Sequence, residues 1–100
     1  MNHKLKEIFA LREKCNDLYK LDSELNEARV ELGKQAYVIE QKLNNRNAPL
    51  KEREKISLEM ECYILHSKIR EIGLEREKLI EQLDSLLSRI RELELKSKGS

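Results

Sequence analysis

Tryptophan is absent from this 100-residue chain, proline occurs once and glycine three times, and the only aromatic side chains are Phe9, Tyr19, Tyr37 and Tyr63. A compact globule of this length carries more aromatic bulk to fill its core and more turn residues to fold the chain back on itself. The two cysteines, Cys15 and Cys62, are too few for a disulfide framework. The longest uncharged apolar runs, such as Ile8–Leu11 and Cys62–Leu65, fall far short of a membrane span or a signal-peptide core. A cytoplasmic location is the expectation.

An excess of one charge is missing too. Twenty basic residues face 19 acidic ones, and each half of the chain is balanced separately. Proteins that work on nucleic acid or on anionic membranes carry a basic excess or a one-sided block. No membrane partner is expected, and nucleic acid is a poor candidate.

Glu, Lys, Leu, Arg and Ile dominate instead, the composition of long exposed helices. The apolar residues recur with a regular period, which argues against disorder. One strong break interrupts the pattern, at Asn44-Asn45-Arg46-Asn47-Ala48-Pro49. Asn favours turns because its side chain bonds nearby backbone, and Pro49 suits the first turn of a new helix but not the interior of an old one. The sequence therefore predicts a single helical-hairpin domain over residues 1–100. Helix 1 runs from about Lys4 to Leu43, the turn over about 44–49, helix 2 from about Leu50 to Lys96, and 97–100 form a frayed tail. The fold class is all-α: two long helices in an antiparallel coiled-coil hairpin.

Helix 2 carries the clearest pattern. Leu58, Cys62, Leu65, Ile69, Ile72, Arg76, Leu79, Leu83, Leu86, Ile90 and Leu93 alternate steps of four and three, which places Cys62, Ile69, Arg76, Leu83 and Ile90 at the a positions of a heptad. Five sustained heptads argue a left-handed coiled coil. The stripe of helix 1 reads Ile8, Leu11, Cys15, Leu18, Leu21, Leu25, Ala28, Leu32, Ala36, Ile39 and Leu43, with one three-three and one four-four step that would disturb supercoiling locally. Expected at the centre of the packing are Ile8, Leu11, Leu18, Leu25, Leu32 and Ile39 from helix 1. Helix 2 supplies Leu65, Ile69, Ile72, Leu79, Leu83, Leu86, Ile90 and Leu93. Ala28 and Ala36 would admit a neighbouring helix closely. Gly33 and Gly73 read as close-packing points or as mild flex points.

Apolar residues also lie off the seam. Ile80 and Leu87 occupy e positions, Phe9, Tyr19, Val30 and Tyr37 sit beside the helix 1 stripe, and Ile56, Met60, Tyr63 and Ile64 form an outer patch at the start of helix 2. A stripe this wide suits a three- or four-helix bundle better than a two-stranded contact. The simplest closure is a homodimer of hairpins forming an elongated four-helix bundle, with another helical protein as the rival. The outer patch is the candidate partner surface.

Candidates for chemistry are few. His3 and His66 are the only histidines, and no phosphate loop, nucleophile elbow or metalloprotease motif is present. Glu71/Glu75 and Glu77/Glu81 read as solvated helix faces supported by neighbouring cations. No enzyme, cofactor or metal is expected. Cys62-x3-His66 has a ligand-like spacing, but the plainer reading is a small buried cysteine flanked by a histidine at the seam. A turn centred near residue 47 sets Cys15 near Ile80 and Cys62 near Gly33, too far apart for an intrachain disulfide.

Arg76 interrupts the apolar run, and a polar a residue commonly fixes register. The same turn centre sets Arg76 beside Tyr19 with Asp22 one turn away. An Arg76–Asp22 clamp and an arginine that snorkels to water are equal alternatives. At the tip, Lys42, Arg46, Lys51, Arg53 and Lys55 stand against Glu40, Glu52 and Glu54, with no aromatic to stack a base. The reading is a non-catalytic protein-interaction or scaffolding module. The alternatives are a small chaperone or export accessory shielding a client, and a hairpin that binds nucleic-acid backbone.

Overall fold

The computed structural model describes residues His3–Lys98. Two long helices pack against each other as an all-α antiparallel hairpin: α1 over His3–Asn44 and α2 over Glu52–Lys98. The expected tail residues Gly99 and Ser100 lie outside the described residues.

The turn is built by its asparagines and by helix-end electrostatics. Asn45 Oδ1 accepts a hydrogen bond from the Asn47 amide at 3.0 Å, which folds the chain locally. The Lys51 carbonyl accepts from the Lys55 amide at 2.9 Å and opens α2. Glu52 and Glu54 then place negative charge in the first turn, where the exposed amides favour it. Pro49 thus stands ahead of α2 rather than inside it.

The chain forms two compact units, each drawing on both helices. One comprises the residues up to Glu24 and those from Glu75 onward. Its core is Ile8, Cys15, Leu83, Ile90 and Leu93, with Leu11, Leu18 and Leu86 packed against them. Leu79 is buried as well. Exposed ion pairs Arg12–Glu94 and Arg89–Glu7 link the helices in this unit, and at such exposure they contribute little.

The other unit is Leu25–Leu74. Ala36, Ile39 and Leu65 form its core, with Leu32, Leu43, Leu58 and Cys62 against them. Leu25, Ile69 and Ile72 are half-buried. Residues 52–57 are all exposed, and Leu50 folds back to line a shallow groove with Lys42, Arg53 and Leu58. The first turns of α2 therefore contribute nothing to the core.

The pattern of α1 is more regular than its apolar residues alone suggest. Leu21 is 44% exposed and Ala28 is exposed, so neither belongs to the seam. Asp22 is half-buried in place of Leu21. Read through Asp22 and Arg29, the steps Ile8, Leu11, Cys15, Leu18, Asp22, Leu25, Arg29, Leu32, Ala36, Ile39 and Leu43 alternate three and four without a break. Asp22 therefore takes the seam position that Leu21 was expected to hold, whereas Arg29, like Ala28, is exposed. Ala36 is 2% exposed, and a Cβ at Gly33 or Gly73 would meet nothing within 4 Å. Neither glycine is a close-packing point within the hairpin.

Candidate functional site

Three features stand out above the packing: a charged pair on the seam, a mixed cluster of Glu, Cys and His, and a set of wet apolar side chains. The charged pair joins α1 to α2 in the first unit. Arg76 Nε donates to Asp22 Oδ1 at 2.8 Å and Nη2 donates to Oδ2 at 3.2 Å. Each side chain keeps a quarter of its surface in water. The two hydrogen bonds and the adjacent positive charge hold the Asp22 carboxyl below its usual range, against a smaller opposing effect of desolvation. The same contact raises Arg76. Of the two alternatives for Arg76, the geometry is that of the clamp.

The second feature lies in Leu25–Leu74. Glu40 on α1 faces Cys62 and His66, which share a face of α2 because they are four residues apart. His66 Nε2 lies 2.8 Å from Glu40 Oε1, and the Cys62 thiol donates to the same oxygen at 3.7 Å. One ligand atom from each residue falls within 4.8 Å of the others. Desolvation, joined by the Glu40 charge and hydrogen bond, pushes the Cys62 thiol up and keeps it protonated. A turn centred near residue 47 sets Gly33 opposite Cys62, whereas Glu40 stands there. The correct register would have found it.

Both cysteines are free: Cys15 is buried in one unit and Cys62 half-buried in the other. Among the described residues no buried side-chain nitrogen or oxygen lacks a partner.

The third feature is apolar. Ile56, Met60, Tyr63 and Ile64 are 49%, 62%, 74% and 50% exposed. Ile56, Met60 and Tyr63 stand at i, i+4 and i+7, and Ile64 follows Met60 by four, so all four lie along neighbouring ridges of α2. Ile80 and Leu87, beside the seam in the first unit, are exposed as well. No helix among the described residues is long and apolar enough to cross a membrane. Neither a protein-family model, nor a curated protein, nor a solved structure matches the chain.

Proposed function

We propose that the chain is a non-catalytic, cytoplasmic coiled-coil interaction module that works through its helix faces. It pairs with a second copy to close a homodimeric four-helix bundle, and it offers the remaining apolar face to a helical protein partner. The observation that carries this reading is the exposure of every aromatic side chain: Phe9 and Tyr37 at 61%, Tyr19 at 51% and Tyr63 at 74%. A chain with only four aromatics does not leave them all wet without cause, since burying each large apolar side chain contributes about 1.5–3 kcal/mol. Two packed helices bury a single stripe, whereas a second pair covers the flanking positions. Twofold pairing is the commonest way to supply that second pair. The ridge of Ile56, Met60, Tyr63 and Ile64, at the start of α2, is the surface assigned to the partner.

Light scattering behind size exclusion, with circular dichroism on the same samples, tests the reading. The expected result is a highly helical particle of twice 11.9 kDa that survives dilution. Phe9→Lys with Tyr19→Lys should convert it to monomer, while Met60→Lys with Tyr63→Lys should leave it intact. A fully helical monomer at all concentrations would remove the homodimer. Dissociation by the Met60 and Tyr63 changes would move the outer patch from the partner to the dimer interface.

A further inference from the structure

We propose that Glu40, Cys62 and His66 bind a single divalent transition-metal ion of the zinc class, with all three ligands supplied by one chain. Sulfur, imidazole nitrogen and carboxylate oxygen make a donor set that borderline-soft cations prefer and that magnesium or calcium do not. Three protein ligands with a fourth position open to water is a familiar zinc arrangement. The side chains of His66 and Glu40 are 55% and 44% exposed, which leaves an entry path.

Two of the three separations are close to those of a tetrahedral ion, and the third, from sulfur to nitrogen, is within 4.8 Å. Tetrahedral zinc at ordinary bond lengths sets sulfur and oxygen about 3.6 Å apart, and nitrogen and oxygen about 3.3 Å apart. The observed separations are 3.7 Å and 2.8 Å. Opening the Glu40–His66 contact by about half an ångström makes room for the ion. Bonds to Sγ, Nε2 and Oε1 form as the ion sheds three of its waters, and the hydrogen bonds to Glu40 break. The thiol proton leaves to water, and the proton that Nε2 shares with Glu40 passes through water to Nδ1, which frees the Nε2 lone pair for the metal. The ligands come from two helices, so the ion would also tie α1 to α2 within this unit.

Cobalt(II) titration of the full chain tests the site, because a thiolate–cobalt bond gives a near-ultraviolet charge-transfer band. The Cys15→Ala chain removes the other thiol. It should bind one cobalt per chain with that band and with the visible spectrum of a tetrahedral ion, and zinc should displace the cobalt. Cys62→Ala should abolish the band. His66→Ala and Glu40→Gln should each weaken binding by about tenfold or more, since even groups that only orient a ligand are worth that much. His66 is exposed, so His66→Ala carries the test if Cys62→Ala lowers helicity. No charge-transfer band at saturating cobalt, unchanged affinity in His66→Ala, or one metal shared by two chains would each overturn the proposal.

Discussion

Arg76 and Asp22 meet across the hairpin in a two-pronged ion pair, and both occupy a-type heptad positions of their own helices. The single charged interruption of the α2 seam is thus answered by a charged interruption of the α1 seam. Planar guanidinium and carboxylate match in this geometry, which gives the contact directionality that packed leucines lack. At a quarter exposure the two charges are neither stripped of water nor freely solvated. Such a pair is suited to choosing an alignment more than to adding stability.

That balance predicts the outcomes of removing one partner and of replacing both. Asp22→Ala should lower the melting temperature by leaving Arg76 without this carboxylate at the seam. Replacing both residues with leucine should raise it above wild type, because the apolar stripe becomes continuous. Thermal unfolding followed by circular dichroism reads both values. A double variant that melts below wild type would mean the pair contributes net stability rather than alignment.

Acid should weaken the clamp in a defined window. Asp22 holds its proton less readily in the folded chain than its ordinary value of 3.8 implies, so the unfolded chain binds the proton more tightly. Its contribution is fully present above that value and is lost as pH falls through the lower native one. The melting temperatures of wild type and Asp22→Asn should differ at neutral pH and converge below pH 3.8. A constant gap across that range would show that Asp22 ionisation is not what stabilises the contact.

Much of the hairpin was legible in the sequence because α2 writes its seam in apolar residues from Leu58 to Leu93 with only Arg76 between. Counting apolar residues alone blurs the α1 seam: Leu21 is exposed and Asp22 takes its place, and Ala28 is exposed as well. Register was the harder quantity. Centring the turn near residue 47 set Cys62 opposite Gly33, whereas Cys62 faces Glu40, seven residues further along. That is about 10 Å of helix. It is also one heptad, and a slip of one heptad leaves every apolar residue on the seam. Only polar contacts and the turn distinguish such alignments, and here α2 starts at Glu52 with residues 52–57 unpacked. The Glu40–Cys62–His66 cluster was hidden for the same reason.

Both interior glycines should be improvable. Gly33 and Gly73 sit in helices with nothing near an added methyl group, and alanine is favoured over glycine by about 1 kcal/mol at such positions. Gly33→Ala and Gly73→Ala should each raise the melting temperature by roughly 4–8 °C. A fall instead would mean that another helix lies against that glycine, since the hairpin itself leaves the space open.

The two alanines of α1 should respond in opposite ways to the same enlargement. Ala36 is the most deeply buried side chain among the described residues, packed with Ile39 and Leu65, and Ala28 is exposed. Ala36→Leu adds methylenes to a buried core position and should cost about 1–3 kcal/mol. Ala28→Leu should change stability by no more than about 0.5 kcal/mol, because a leucine on an exposed helix face meets only water. Chemical denaturation of the two variants measures both. Equal losses would mean that Ala28 lies against another helix, and would place a second copy or a partner on that face of α1. A harmless Ala36→Leu would show that the core around Ile39 and Leu65 accommodates the added methylenes, so that close packing at Ala36 is not what holds the two helices together there.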